Sequence, residues 1–339
     1  MGVTIKDISD RCGVSISAVS KALNHKKGIG HEKAELVRIT AAEMGYYANA
    51  PEKLNRTNRS YNIGVLYDND ISHEYFSLIL DAIRGAAGEN DYDLTLIGGI
   101  YPRSTQGYYE RVCQRQCDGV IVFNGIYNHA AIDALLSCDL PVVSIDCILG
   151  SRTAILGEHV GGMETIVKYL FNMGHTRLAF IHGDMGDVTK QRLTGFYRGC
   201  RDCGIAVPED YVVPAHYRDA KEAERATRRL LALPERPECI IYPDDISYLG
   251  GAAELARQGL SVPGDISCFG YDGIKLAELL SPRLSTYKQD ALAIGRQAAH
   301  QLIQNIENPK YYVPQVIHVA GSIQAGETVK SLVGMDALI

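Results

Sequence analysis

Long hydrophobic runs are absent from this sequence of 339 residues. No apolar segment approaches the roughly 20 residues that a membrane-spanning helix needs, so we expect no contact with a membrane. The first ten residues are amphipathic and polar, which argues against a secretory signal peptide. Hydrophobic residues make up 46% and charged residues 22%, which excludes a disordered chain. We therefore expect a globular cytoplasmic protein of two or three domains.

The signatures of several enzyme classes are missing as well. The sequence has no P-loop, no Gly-x-Ser-x-Gly nucleophile elbow and no His-Glu-x-x-His zinc motif. Gly98-Gly99 lacks the rest of a dinucleotide-binding fingerprint, and His175 and His182 are isolated in the sequence. We expect no catalytic residue, no metal and no cofactor, and an enzyme is the least favoured interpretation.

Nine cysteines are spread along the chain. The odd number and the length of the chain argue against a secreted disulfide framework. Cys200-x-x-Cys203 and Cys113-x3-Cys117 resemble pairs, but both lie in helical patterns without a second pair or a histidine at metal spacing. We interpret them as reduced structural thiols, with a redox or zinc site as the alternative.

Charge is distributed unevenly along the chain. The net charge is −6, yet residues 1–60 hold ten Lys or Arg against six Asp or Glu, and the remainder carries −10. A small basic head on a larger acidic body indicates that only the head meets a polyanion such as DNA.

The basic head predicts three short helices. Thr4 can cap the first, with Asp7 as its capping-box partner, and Gly13 ends it. Ser15 can cap the second helix, predicted at residues 16–24, and a third helix follows. A short helix, a glycine turn and a helix with an exposed polar face together indicate a helix-turn-helix.

The second helix has two contrasting faces. The apolar face consists of Val19, Ala22 and Leu23. The residues at its N-terminal edge and on its opposite face are Ile16, Ser17, Ser20, Lys21 and Asn24. Lys21 can donate to guanine, Ile16 can contact a thymine methyl group, and Ser17 can bond either kind of base edge. Ser20 and Asn24 could hold phosphates, and the alternative is a solvated face on a small helical domain.

From Tyr61 onward, buried apolar strands alternate with helices. Strands are predicted at residues 63–67, 94–97, 120–123, 142–145, 178–182, 239–242 and 266–270. This alternation predicts two doubly wound parallel α/β sheets, one in each of two lobes. A ligand would lie beyond the carboxyl ends of the strands, in the cleft between the lobes.

A series of motifs occurs in order through nearly the whole chain. In the head they are Val3-Thr-Ile-Lys-Asp-Ile8, Cys12-Gly-Val-Ser15, Val19-Ser-Lys-Ala-Leu-Asn24 and Met44-Gly-Tyr46. In the core they are Ile63-Gly-Val-Leu66, Asp118-Gly-Val-Ile121, Met173-Gly-His-Thr-Arg-Leu-Ala-Phe-Ile181, Val262-Pro-Gly-Asp-Ile-Ser267, Gly270-Tyr-Asp272 and Ser281-Pro-Arg-Leu-Ser285. The set resembles the LacI/GalR family of transcriptional regulators. The resemblance implies a homodimer whose heads bind a pseudo-palindromic operator in double-stranded DNA and whose periplasmic-binding-protein-like core binds a small effector.

With this resemblance, the chain divides into three parts. They are a helix-turn-helix DNA-binding domain at 1–46, a hinge at 47–60 and an effector-binding and dimerisation core at 61–339. The expected N-lobe comprises about 61–157 plus 291–321, and the C-lobe about 158–288 plus 322–339. The C-terminal residues 327–339 are too few for the roughly three heptads of a coiled coil, which argues against a tetramer.

The resemblance implies a set of DNA-binding residues. They are Thr4, Ser15, Ile16, Ser17, Ala18, Ser20, Lys21, Asn24 and Leu54. Family members usually have Thr where Ala18 stands and often Arg where Lys21 stands, so this chain loses one phosphate contact and weakens a bidentate contact to guanine. The family's hinge helix inserts a leucine into the minor groove. Here Asn55 stands at that place, Pro51 lies nearby, and we expect Leu54 to be the wedge.

The resemblance also implies a set of effector-binding residues. They are His73, Tyr75, Phe76, Asp146, Arg192, Asp244, Tyr271, Asp272 and Gln289. Family members often keep Asp-Asn before the first helix of the second lobe, where this chain has Gly157-Glu158, so an unusual ligand or an altered connection between the lobes is expected.

An arginine and several aspartates around one cleft suit a neutral, hydroxyl-rich ligand. Carboxylates accept from sugar hydroxyls, arginine donates, and an aromatic ring covers the apolar face of a sugar. Asp244 in place of Asn makes the cleft more acidic, which disfavours an anion. As alternatives, Asp244 and Asp272 cap helices and Arg192 forms a surface ion pair. Tyr75 and Phe76 could equally be core residues.

The sequence therefore predicts a sequence-specific DNA-binding regulator, most simply a repressor, whose operator affinity is controlled by a saccharide or similar polyol. The alternative is a stand-alone sugar-binding protein of the same two-lobed fold that has lost operator binding.

Overall fold

A computed structural model describes most of the chain. The described residues are 4–23, 29–44, 59–67, 73–98, 108–123 and 135–333. Contacts between Cα atoms divide the chain into two compact units, the head at 1–60 and the core at 61–339.

The described part of the head contains three helices. They are α1 (Ile5–Cys12), α2 (Ile16–Leu23) and α3 (His31–Glu43). The predicted capping box is present at the start of α1, where the Thr4 hydroxyl accepts from the Asp7 N–H at 3.3 Å and the Asp7 carboxylate accepts from the Thr4 N–H at 2.8 Å. Gly13 ends α1 with a φ of 64°, a conformation that glycine adopts without steric cost.

A small apolar core holds the three helices together. Its buried residues are Ile8, Val19, Ala22, Leu23, Ala34, Val37 and Ala41. The predicted apolar face of α2 is therefore the face that packs against α1 and α3. Ser9 fixes the turn between α1 and α2, because its hydroxyl donates to the Val14 carbonyl at 2.6 Å.

Two six-stranded sheets form the framework of the core. The strands are β1 (Asn62–Tyr67), β2 (Asp93–Gly98), β3 (Gly119–Phe123), β4 (Val142–Ile145), β5 (Thr153–Gly157), β6 (Leu178–His182), β7 (Val212–Pro214), β8 (Cys239–Ile241), β9 (Ser267–Asp272), β10 (Ser285–Lys288), β11 (Val316–Val319) and β12 (Ser322–Gln324). The first sheet has the order β11-β5-β4-β3-β1-β2 and is entirely parallel. The second has the order β12-β10-β9-β8-β6-β7 and is parallel except for β12.

Helices cover both sheets. They are α4 (Glu74–Gly88), α5 (Tyr108–Gln114), α6 (His159–Asn172), α7 (Asp187–Asp202), α8 (Ala220–Leu231), α9 (Asp245–Arg257), α10 (Lys275–Leu279) and α11 (Ala291–Glu307), with a short 3₁₀ helix at Glu209–Tyr211. Helices α4 and α11 bury Ile79, Ile83 and Ile294 in the first lobe. Helices α6 and α7 approach closely at Gly195, where a Cβ atom would lie 2.2 Å from the Val160 carbonyl oxygen.

The chain passes between the two lobes three times. It leaves the first lobe between β5 and α6, returns between β10 and α11, and leaves again between β11 and β12. The predicted α/β core with two doubly wound sheets is confirmed, with one correction. The edge strand β12 runs antiparallel to β10, so the second sheet is mixed.

The end of β9 also differs from the prediction. The expected strand stopped at Gly270, whereas the observed strand continues through Asp272 because it pairs with β10 up to that residue. Strands β5, β7, β10, β11 and β12 were not expected at all. Three of them are only three or four residues long at the edges of the sheets, where apolar patterning is weakest.

Candidate functional site

The exposed face of α2 is the candidate DNA-reading surface. Ser15 and Ser17 are exposed, and the Ile16 side chain is 53% exposed although it is apolar. Lys21 is half-buried, as are Ala18 and Ser20. An apolar side chain held in water at the start of a polar helix face is available for a thymine methyl group.

Two of the predicted DNA-binding residues also stabilise the N-termini of helices in the head. Ser15 caps α2, because its hydroxyl accepts from the Ala18 N–H at 3.2 Å. The Thr4 hydroxyl donates to the Asp7 carboxylate at 2.7 Å. Asn24 and Leu54 lie outside the described residues, as do the hinge residues Pro51 and Asn55.

A cavity of about 260 Å³ lies between the two lobes of the core, at the carboxyl ends of the strands. Seven of the nine predicted effector residues line it: His73, Tyr75, Phe76, Asp146, Arg192, Asp272 and Gln289. Asp146 and Gln289 directly follow β4 and β10, Asp272 ends β9, and the others lie in or next to the first two turns of the helices α4 and α7, so strand ends and helix starts bring residues that are far apart in sequence to one place.

Arg192 lies at the centre of the cavity wall. It is 4% exposed, and its Cζ lies 3.5 Å from the centre of the Tyr271 ring. Its Nη1 donates to the Pro243 carbonyl at 2.7 Å, and its Nε points at His159 Nδ1 at 3.5 Å. The guanidinium is therefore fixed on several sides, and the ring beneath it favours a cation. Arg192 is a buried residue rather than the surface ion-pair residue considered as an alternative.

His159 joins the first lobe to the second. It is the first residue of α6, and its Nε2 lies 3.4 Å from the Asp146 carboxylate, which follows β4. Burial lowers the pKa of His159, so the imidazole is neutral at pH 7. Burial opposes ionisation of Asp146, but the hydrogen bonds from His159 and the Gly157 N–H, together with the charge of Arg192, outweigh it and lower the pKa of that carboxyl. Asp146 therefore presents a carboxylate to the cavity.

Asp272 provides the second carboxyl group. Its backbone has a φ of 101°, and one carboxyl oxygen accepts from Gln289 Nε2 at 2.8 Å. The other carboxyl oxygen lies 3.8 Å from His73 Nε2 across the cleft. Burial raises the pKa of Asp272 well above its usual value, although Arg192 acts in the opposite direction. The cavity thus combines one ionised carboxylate with one carboxyl that retains its proton more readily.

Aromatic residues of the first lobe cover the other side of the cavity. The Phe76 ring packs 4.6 Å from the Phe123 ring and belongs to the lobe's core while also lining the cavity. The Tyr75 hydroxyl is buried and has no hydrogen-bond partner among the described residues. A buried hydroxyl without a partner is costly, and a ligand in the cavity would remove that cost.

Two predicted effector residues do not line the cavity. Asp244 is 1% exposed, and its oxygens accept from the Ser247 N–H at 2.8 Å and from the Arg218 N–H at 2.8 Å. It therefore caps α9, which was the alternative interpretation. Tyr271 lies inside β9 rather than after it, because the strand is two residues longer than expected. Its ring instead supports Arg192.

Sequence reasoning missed several residues that line the cavity. They include His159, Asp184, Thr189, Tyr217 and Arg218. Asp184 closely follows the predicted strand β6 and could have been found by the rule used for Asp146. Thr189 lies one helical turn before Arg192. Tyr217 follows β7, a strand that the sequence did not predict, so no signal pointed to it.

Among the described residues, no helix is long and apolar enough to cross a membrane. In the same ranges, no group of three or more His, Cys, Asp or Glu residues is arranged to hold a metal ion.

Comparison with known proteins extends this picture. Residues 4–49 match the family model for bacterial regulatory proteins of the lacI family, and residues 167–329 match that for the periplasmic binding protein-like domain. The HTH-type transcriptional repressor PurR of Vibrio campbellii is 29% identical over 335 residues, which cover 97% of this chain and 99% of the relative. The chain belongs to the LacI family of bacterial regulatory proteins.

Solved structures of LacI-family proteins share the fold. The complex of the transcriptional regulator CelR with cellobiose has a TM-score of 0.71 and 21% identity, covering 96% of this chain and 99% of that one. The lac repressor dimer bound to operator and the anti-inducer ONPF also has a TM-score of 0.71, with 22% identity, covering 97% and 100%. The match of residues 4–49 and the likeness to a transcriptional repressor over nearly the whole chain show that this LacI-family chain is a DNA-binding transcriptional regulator.

Proposed function

We propose that this LacI-family chain is a cytoplasmic repressor, acting as a homodimer on a pseudo-palindromic operator and controlled by a neutral, hydroxyl-rich effector of the saccharide class. The observation that carries the proposal is the interlobe cavity. It holds a fixed guanidinium, three carboxyl groups in different protonation environments and an aromatic wall around one space of about 260 Å³.

The size of the cavity limits the effector. Ligand pockets usually enclose roughly 300–1,000 Å³, so this cavity of about 260 Å³ is slightly smaller than that range. It suits a molecule of one or two rings. The CelR complex with cellobiose supports a saccharide of this size, because that protein has the same fold.

The chemistry of the cavity also favours a neutral polyol. The charge on Arg192 is balanced by the carboxylate of Asp146, so a strongly anionic ligand would bring uncompensated charge into a buried space. Sugar hydroxyls both donate and accept, which matches a wall of mixed donors and acceptors. The Tyr75 hydroxyl would gain a partner when the ligand binds.

The head supports operator recognition by α2. Direct reading of bases would come from Lys21, Ser17 and the exposed Ile16, while Ser15 and Thr4 stabilise the ends of their helices. We also propose that the hinge inserts Leu54 into the minor groove of the operator. Leu54→Ala should then weaken operator binding and reduce DNA bending. If neither the affinity nor the bending changes, the proposal that Leu54 inserts into the minor groove is wrong.

Selection of bound DNA from a random duplex library, at one fixed salt concentration, tests the DNA-binding part. A palindromic site with half-sites about one helical turn apart supports a dimeric regulator. Absence of any enriched sequence, with and without sugars, would support the alternative of a sugar-binding protein that has lost operator binding.

Calorimetry on the full chain tests the effector part. The probes are cellobiose, ribose and a wider panel of neutral sugars, together with a purine base and a phosphate ester as chemically different competitors. Binding of a sugar that also changes the affinity for the selected operator supports the proposal. Clear binding of the purine base or the phosphate ester without binding of any sugar would refute the saccharide class.

A further inference from the structure

One hydrogen bond between described residues of the two lobes lies at the rim of the cavity. Glu74 is the first residue of α4 in the first lobe, and Lys275 is the first residue of α10 in the second. The Glu74 carboxylate accepts from the Lys275 backbone N–H at 2.7 Å. Neither residue lines the cavity. We refer to this contact as the interlobe clasp.

The clasp uses a donor that its own helix leaves free. The first N–H groups of a helix have no partner within that helix and must be satisfied from outside. The preceding N–H, that of Ile274, is taken by Asp245 of the same lobe at 2.9 Å. The Lys275 N–H is instead satisfied by the opposite lobe, so the end of α10 is completed only when the lobes are close.

Residues that line the cavity flank the clasp on both sides. His73, Tyr75 and Phe76 surround Glu74 in the first turn of α4, and Asp272 lies three residues before Lys275. Across the clasp, His73 Nε2 lies 3.8 Å from Asp272 Oδ2. The clasp therefore sets the distance between the aromatic wall and the Asp272 carboxyl group of the cavity.

We propose that Glu74 is a positioning residue for the effector site: it touches no ligand but holds the first turn of α4 against the turn that carries Asp272. The proposal rests on the effector site described under the proposed function and deepens it. It explains why an acidic side chain at the rim faces an uncharged backbone donor rather than solvent.

Four variants separate the hydrogen bond from charge and from helix stability. Glu74→Ala removes the acceptor, whereas Glu74→Gln keeps an amide oxygen that can accept and should restore the contact. Lys275→Pro removes the donor from the other side. Proline is tolerated at the first position of a helix, and Ile274 already has the extended conformation (φ −72°, ψ 163°) that a residue before proline needs. Lys275→Ala is the control for charge, since it keeps the N–H and removes the ammonium, which pairs with Glu278 and also attracts the Glu74 carboxylate.

Amide hydrogen exchange of the full chain without ligand tests the clasp directly. The Lys275 amide should be protected in the wild type, in Glu74→Gln and in Lys275→Ala, and should exchange roughly tenfold faster in Glu74→Ala. Exchange should also rise in residues 74–77 in both Glu74→Ala and Lys275→Pro. If the Lys275 amide and the amides of residues 74–77 exchange at the same rates in Glu74→Ala as in the wild type, the proposal is overturned.

Binding of cellobiose and ribose gives the second readout. Glu74→Ala and Lys275→Pro should weaken binding by the same several-fold factor, and the double variant should lose no more than either single variant. If the exchange rates change but sugar affinity does not, the clasp is a structural contact only and the positioning role is refuted. If the wild type binds neither sugar, the saccharide assignment is in question, while the exchange data still decide the clasp.

Discussion

Replacing Asp245 with asparagine should stabilise the core at neutral pH and above while leaving its contacts in place. Asp245 is completely buried at the start of α9. One of its oxygens accepts from the Thr286 hydroxyl at 2.6 Å, and the other accepts from the Ile274 N–H at 2.9 Å. Asparagine can keep both contacts, because its amide oxygen accepts from Ile274 and its amino group donates to a reoriented Thr286 hydroxyl.

The size of the effect follows from the titration of this one group. Burial raises the pKa of Asp245 from 3.8 to about 7, and the neighbouring Asp244 adds to the shift. Between these two values the folded protein holds a proton that the unfolded chain has released, so stability falls as the pH rises through this window. From pH 5 to pH 8 the loss amounts to about 3 kcal/mol. Asparagine does not titrate and avoids that loss.

Thermal and guanidinium unfolding of the wild type and Asp245→Asn, at several pH values from 5 to 8, would measure the effect. When the free energy of unfolding of the wild type is subtracted from that of the variant at each pH, the contributions from the titration of all other groups cancel. It should grow by about 3 kcal/mol toward pH 8, which corresponds to roughly 6–12 °C in melting temperature for a core of this size. Asp81→Asn, at an exposed position, serves as the control and should show a constant difference. If the difference in the free energy of unfolding between Asp245→Asn and the wild type does not change from pH 5 to pH 8, the reasoning is refuted.

Three further substitutions test the two binding surfaces. Lys21→Ala should weaken operator binding by about 1–3 kcal/mol, measured by titration at several salt concentrations, and an unchanged affinity would remove Lys21 from the interface. Arg192→Lys should weaken effector binding at least tenfold by calorimetry, because an ammonium cannot lie flat on the ring beneath it and donate in several directions, whereas Arg201→Lys on the surface should bind normally. Tyr75→Phe should weaken effector binding by about 1–2 kcal/mol without lowering the melting temperature, since its hydroxyl has no hydrogen-bond partner among the residues that the structure describes. Equal affinities for Tyr75→Phe and for Tyr311→Phe, a change at a remote exposed tyrosine, would show that the ligand does not use this hydroxyl.

Much of the architecture could be predicted because it depends on local patterns. The capping box at Thr4 and the apolar face of α2 lie within a few residues of each other, and the helical period alone brings them together. Buried parallel strands are apolar on both faces, so β4 and β6 were located with correct ends. The rule that ligands lie beyond strand ends then led to Asp146 and Asp272.

Short strands at the sheet edges could not be located in the same way. Strands β11 and β12 contain no fully buried residue and are recognised only by their pairing with β5 and β10, far away in the chain. The length of β9 is likewise set by its register with β10. For this reason the sequence could not tell that Tyr271 lies inside the strand and Asp272 at its end.

The sequence by itself determined that a basic helix-turn-helix precedes a two-lobed α/β core, because periodicity, capping and charge depend on residues that are close together in the sequence. The rule for strand ends led to Asp146 and Asp272, and the resemblance to the LacI/GalR family led to Arg192. Only the tertiary structure decided which of these groups face the cavity. His159 of one lobe contacts Asp146 of the other, and Glu74 accepts a hydrogen bond from the opposite lobe. Asp244 instead uses its oxygens to cap α9. These contacts join residues 13 to 201 positions apart or compete with local hydrogen bonds, and a linear pattern carries no information about which partner a polar group will find.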